Sequence, residues 1–268
     1  MAIDSVCVRR ASCVRLRIRS RSPYSWGVSE PVKEFTVLYL YDACRSVCKI
    51  SERETAAALR ARETTKRSAT ALAAPFVAVA AIAAFLDEVG PALGSDVAVL
   101  RDGQRKRVAA NVLYGNCHAA WFKRPADGGV VANISLLNTV RNDLVHPDRV
   151  PAERTLAGLE ARGLRLGEAN WPRGLERRVF PSDLMWDEFT IWCYDVAADA
   201  ARAMIRSYGT GEVWRVLARP FAPYRGTLVR GHPIRGPVSR SGETGEWARR
   251  IVEAADPQGV DLGKGNPW

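Results

Sequence analysis

This 268-residue chain has little histidine: His118, His146 and His232 are its only three. A zinc site needs four ligands in short paired spacings. The six cysteines (Cys7, Cys13, Cys44, Cys48, Cys117 and Cys193) supply no Cys-x-x-Cys pair. Cys44 and Cys48 lie one helical turn apart with no second pair, and Cys117-His118 has no partner pair either. Neither a metal centre nor a cofactor is expected, nor a regular disulfide framework, and reduced thiols in a cytoplasmic setting fit best. Long apolar runs are also lacking. The longest, Ala71 to Leu86, is interrupted by Pro75 and is shorter than the ~20 residues that cross a bilayer. It reads as a buried core helix, and stable membrane insertion is not expected. No apolar segment follows the N-terminal charges, so no secretory leader is expected. Runs of β-branched residues are few while alanine is abundant, which favours helix over strand.

What is present is apolar mass and arginine. Hydrophobic residues make up 47% and charged residues 25%, enough to build a sizeable core. The formal net charge is +10, carried by 33 Arg and 6 Lys. A positive field of this kind attracts phosphate polymers and anionic surfaces. Much of the excess lies at the termini. Residues 1–26 hold six arginines against Asp4 alone, and Arg225, Arg230, Arg235, Arg240, Arg249 and Arg250 follow near the other end. Solvated surface and tails are the default reading of such charge.

The punctuation by Ser20, Pro23, Gly27 and Pro31 suggests a flexible basic leader over 1–31. A helical domain is expected over 32–210 and a basic Gly/Pro/Arg-rich tail over 211–268, with a short helix near Glu246–Ala255. Val32–Ile50 fits helix or strand. Ser51-Glu52-Arg53-Glu54 reads as a capping box opening a charged helix toward Lys66. The Ala-rich segment 68–89 should be a helix stopped at Gly90-Pro91. Asp96–Leu100 suggests a short strand, Arg101-Asp102-Gly103 a turn, Arg105–Tyr114 a helix and Asp127-Gly128-Gly129 a loop. Asn133–His146 has apolar residues at three- and four-residue steps, with Asn133 as N-cap and Pro147 as the stop. The clearest helix begins at Ser182 or Asp183 and ends near Gly209.

Chemistry concentrates in Arg141-Asn142-Asp143-Leu144-Val145-His146. At about 100° per residue, Asn138, Asn142 and His146 form a polar stripe, and Arg141 emerges at the border of the apolar face. Cleavage of RNA by its own 2′-hydroxyl needs a proton taken from that hydroxyl and one given to the leaving 5′-oxygen. Histidine serves either transfer. It also needs a fixed cation for the charge that builds on phosphorus, and arginine presents several donors at once. On spacing alone, a helix-terminal histidine beside a salt-bridged arginine is the default reading. Asp87 or Glu88 would be the pairing carboxylate. Trp121, Trp186 and Trp192 could stack on bases, although Trp192 falls on an apolar face. His118 and His232 read as surface residues.

Arg141-Asn142-x-x-x-His146-Pro147 resembles the Arg-Asn-x-x-x-His signature of the HEPN superfamily, the nucleotide-binding domains of higher eukaryotes and prokaryotes. The similarity takes in the Ala-rich helix before the motif and the helix 186–204 after it, roughly residues 68–208. It implies an all-α, up-and-down bundle of four or five helices, here with insertions, which usually dimerises. It further implies a metal-independent ribonuclease, often a toxin with a cognate antitoxin or part of a defence system. Arg141 would hold the scissile phosphate, His146 would transfer a proton, and Asn142 would position the site. Non-catalytic RNA- or nucleotide-binding members share similar motifs, so a binding or interaction module is the other implied reading.

Overall fold

The computed structural model describes residues 35–61, 68–146, 152–164, 180–209, 211–224 and most of 247–254. These residues form an all-α fold, and no strand occurs among them. The expected leader 1–31, Pro147, His232 and most of the arginine-rich tail lie outside the described residues.

Helix α1 runs unbroken from Thr36 to Ala61. Its buried positions are Val37, Tyr41, Cys44, Cys48, Ser51, Thr55 and Ala58, alternating four- and three-residue steps along one seam. That period keeps one stripe facing the core. Ser51 is therefore a mid-helix core residue rather than the cap of a new helix, which corrects the capping-box expectation. The partner helix α2 spans Ala74–Ala92 after a tight 3-10 turn at Ala69–Ala73. Together Ala69–Ala92 are long and apolar enough to cross a membrane by length and composition. Here Ala78, Ala81, Ile82, Phe85, Leu86 and Val89 are buried in the core. Pro91 falls in the last turn and does not stop the helix before it. The helix ends one residue later, at Ala92, close to the expected stop.

The two helices are antiparallel and tied at both ends. The Glu88 carboxylate accepts from the backbone N–H groups of Thr36 (3.1 Å) and Val37 (2.9 Å), satisfying free donors at the start of α1. At the other end the Thr70 hydroxyl donates to Glu54 at 3.1 Å.

Helix α3 occupies Ala98–Arg105, where a strand and a turn were expected. Local β-branched content loses here to packing. Leu100 is buried, and Gly103 lets α3 approach α4 so closely that a Cβ there would sit 2.5 Å from Leu113. Helices α4 (Ala110–Phe122) and α5 (Gly128–Val145) form a hairpin, and α6 (Ala152–Glu160) follows.

Helix α7, Asp187–Tyr208, is the centre of the bundle. Its N-cap position is Trp186; Ser182 and Asp183 belong to a separate 3-10 turn. Its backbone carbonyls accept from other helices: Tyr41 donates to Ala197 (2.6 Å), the Cys48 thiol to Thr190 (3.3 Å) and Tyr114 to Ala200 (2.9 Å). The chain does not leave the core at residue 210. Helix α8 covers Glu212–Ala218, and the described residues around Trp247 are helical, as the short helix near 246–255 anticipated. Trp247 packs edge-on against Phe35 and Phe221 and donates to the Leu217 carbonyl at 3.0 Å. Part of the expected tail is therefore core.

Candidate functional site

Helix α5 carries the Arg141–His146 segment. It starts at Gly128, five residues before the expected start at Asn133. The true cap is Asp127, whose carboxylate accepts from the N–H groups of Gly129 (2.8 Å) and Val130 (3.1 Å). Ile134, Leu137 and Val140 fix the helix to the core. The next residue on that buried line is Asp143, 3% exposed. A buried carboxylate is tolerated only with a hydrogen-bond donor, and Thr155 of α6 donates its hydroxyl to Asp143 Oδ2.

Helix α6 folds back along α5. Arg162, just past α6, donates from Nε to Asn133 Oδ1 at 2.6 Å, and a Cβ on Gly158 would lie 3.0 Å from Leu136. The pairs 143 with 155, 136 with 158 and 133 with 162 describe an antiparallel hairpin whose turn lies next to the motif. Asp143 and Thr155 thereby hold the end of α5 in place. Sequence reasoning missed this clamp: nothing in either residue's local pattern links positions twelve apart across a turn.

Arg141 is half-buried at the border of the packed face. Its Nη1 donates to Asn138 Oδ1 at 3.3 Å, one turn back on the same helix. The guanidinium has five N–H donors, so most remain for another acceptor. The expected pairing with Asp87 or Glu88 does not occur. Asp87 accepts from Gln104 Nε2 at 2.5 Å, and Glu88 is taken up by the start of α1. Partial burial raises the Asp87 carboxyl above the usual range, with Glu88 adding to it and the Gln104 bond opposing it. Among the described residues, no carboxylate bonds Arg141.

Asn142 is exposed, and its carbonyl accepts the backbone N–H of His146 at 2.8 Å. The regular helix ends at Val145, and His146 stands as the C-cap residue with φ −131° and ψ 66°, exposed. Val145 beside it is 49% exposed. The arrangement is thus a cation anchored on its own helix, an exposed amide, and an imidazole open to solvent at the helix end. Chemically it offers a phosphate-binding fork and a proton carrier, both reachable from outside.

The remaining candidates are packed to different degrees. Trp121 lies on Gly90, where a Cβ would be 2.3 Å from its ring, and donates to the Asp96 carbonyl at 2.7 Å. Trp192 is half-buried and stacks on Phe189 at 6.2 Å between ring centres. Trp186 is half-buried at the start of α7. His118, expected on the surface, is 4% exposed. Its ring nitrogens engage the Arg124 carbonyl (3.1 Å) and the Ser207 hydroxyl (2.9 Å), and burial lowers its pKa below 6.5. Cys44, Cys48, Cys117 and Cys193 are free and buried. Burial pushes the Cys44 and Cys48 thiols up to about 12 and Cys117 up to about 11. They are poor nucleophiles at neutral pH. No cluster of three His, Cys, Asp or Glu placed to hold a metal occurs among the described residues.

No family model, curated protein or solved structure matches the chain.

Proposed function

We propose that the protein is a metal-independent endoribonuclease of HEPN type in which Arg141 binds and stabilises the scissile phosphate and His146 transfers the proton. The observation that carries this reading is a guanidinium that no described carboxylate bonds, on the same helix end as an exposed imidazole. A merely structural arginine would be expected to meet a carboxylate, and the two nearest sequence candidates are bonded elsewhere.

In this reading the 2′-hydroxyl attacks the adjacent phosphorus and the bond to the 5′-oxygen breaks. The products are a 2′,3′-cyclic phosphate and a 5′-hydroxyl. Arg141 meets the charge that builds on the phosphorus oxygens. His146 takes or gives one of the two protons, and Asn142 sits between them to bond the sugar or phosphate. The exposed Val145 offers an apolar spot where a second copy would bring its own motif to a shared cleft. A cytoplasmic toxin or defence role, held in check by a cognate antitoxin, is the setting that goes with this activity.

One observation favours a second reading, an RNA- or nucleotide-binding module without turnover. No described residue bonds the His146 ring, whereas a general base is ordinarily oriented by a third group. Incubation of purified protein with total RNA in excess chelator, followed by mapping of new ends, separates the two. The nuclease reading expects cyclic-phosphate ends that vanish in His146→Ala while the variant stays folded. If the wild-type protein makes no cuts, yet retains RNA through Arg141 and independently of His146, the binding module is correct.

A further inference from the structure

The outer face of α4 is an acid-free strip with a basic elbow at each end. From Gly103 to Ala126 there is no aspartate or glutamate, while Arg105, Lys106, Arg107, Lys123 and Arg124 are all present and all exposed. The exposed positions between the elbows are Ala109, Val112, Asn116 and Ala119, one line along α4 and its start carrying no charge. The acids that flank the stretch have other duties. Asp96 and Asp127 accept backbone N–H groups at the starts of α3 and α5. Asp102 bonds Arg105 and Lys106, at 2.9 and 2.7 Å, which orders those two side chains without neutralising both. The side chains of Arg101 and Arg107 bond no described residue.

Backbone conformation singles out the same elbows. Arg107 (φ 52°) and Lys123 (φ 55°) are the non-glycine residues with positive φ among the described residues. That region is costly for residues with a Cβ, and glycine or asparagine is the inexpensive choice. At both elbows the chain instead carries a cation. Arg107 follows the C-cap of α3 and Lys123 is the C-cap of α4, so each cation stands where a helix ends and the chain turns. Thirteen residues at 1.5 Å each place the elbows about 20 Å apart. Because α4 and α5 form a hairpin joined by residues 123–127, the 105–107 elbow is level with the Arg141 end of α5.

We propose that this strip is a binding track for single-stranded RNA, whose phosphates seat at the two elbows and whose chain passes along α4 toward the Arg141–His146 end. The destination of the strand rests on the ribonuclease reading above; the track itself does not. An extended polyanion suits this strip better than a lipid surface does: a membrane-binding helix buries several large apolar side chains, whereas Val112 is the one large hydrophobic exposed on α4 and Asn116 interrupts the line.

The test uses full-length protein and a fluorescein-labelled, 2′-O-methylated oligouridylate of about 20 nucleotides, which can be bound but not cut by its own 2′-oxygen. Anisotropy is measured across a salt series. Arg101→Gln/Arg105→Gln/Arg107→Gln and Lys123→Gln/Arg124→Gln should each weaken binding about tenfold at low salt. Each should also reduce the salt slope by about 0.7 for every phosphate that is no longer neutralised. Both sets of side chains are exposed, and circular dichroism melts should match the wild type. Wild-type affinity and slope in folded variants would overturn the track, as would loss of binding to phosphatidylserine vesicles with RNA binding intact. Cleavage of unmodified RNA, assayed in parallel, reports on the nuclease separately: its absence with an intact track rejects only the proposed function.

Discussion

His118 and His146 sit in opposite surroundings. The first lies between α4 and α7 with both nitrogens engaged and aromatic rings of Phe122 and Tyr114 beside it. The second stands open at the end of α5. Each falls toward the end of a helix in a chain with few histidines, and one-dimensional spacing cannot tell them apart. The difference teaches that a titratable ring becomes structural when tertiary packing brings partners to both its nitrogens. It stays available for chemistry when, as at His146, the ring is exposed and no described residue bonds it.

The strongest way to sharpen this comparison acts at the open end. Arg141→Ala should lower RNA cleavage about 10²- to 10³-fold with no change in melting temperature. Arg141→Lys should recover only part of the loss, because an ammonium cannot reproduce the planar fork. Equal loss of stability and activity in Arg141→Ala would instead make it a packing residue. At the closed end the effects should reverse. His118→Ala leaves the Ser207 hydroxyl and the Arg124 carbonyl without their partner and opens a cavity. It should cost about 2–3 kcal/mol in denaturant melts, with cleavage per folded molecule retained.

Between the two lies the clamp of Asp143 and Thr155. Thr155→Val keeps the shape but strips the buried carboxylate of its donor, and should cost about 1–3 kcal/mol. Thr155→Ser should restore most of it. The smallest effect is one of pH. Because burial lowers the His118 pKa, the folded state resists its protonation and the unfolded state accepts it. Stability should therefore fall as pH drops through 6.5, the ordinary value, toward the lowered folded one. Melting temperatures between pH 7.5 and 5.5 check this, and the acid-side slope should flatten in His118→Gln. An unchanged slope would mean that another group sets it.

Much of the architecture was legible in the sequence. The all-α class, the Ala-rich core helix and the long helix ending at Gly209 follow from alanine content, apolar periodicity and the terminal glycine. What escaped did so for definite reasons. The seam of α1 passes through Ser51 and Thr55, so a pattern built on apolar residues alone breaks there. Asp127-Gly128-Gly129 has loop composition, yet its aspartate caps a helix that its glycines begin. Trp247 gains its place from Phe35 and Phe221, remote partners that no local window contains. At the candidate site, Arg141, Asn142 and His146 were legible from spacing on one helix. The fate of the carboxylates was not, because it depends on α1 and Gln104 reaching Glu88 and Asp87 first.

The most direct test concerns the bond that is broken. Purified protein in chelator is given two strands of one sequence, one unmodified and one methylated at every 2′-hydroxyl. Cleavage confined to the unmodified strand, leaving cyclic-phosphate and 5′-hydroxyl ends, is the result this account predicts. Cleavage of the methylated strand, or wild-type rates from a folded His146→Ala protein, would contradict it.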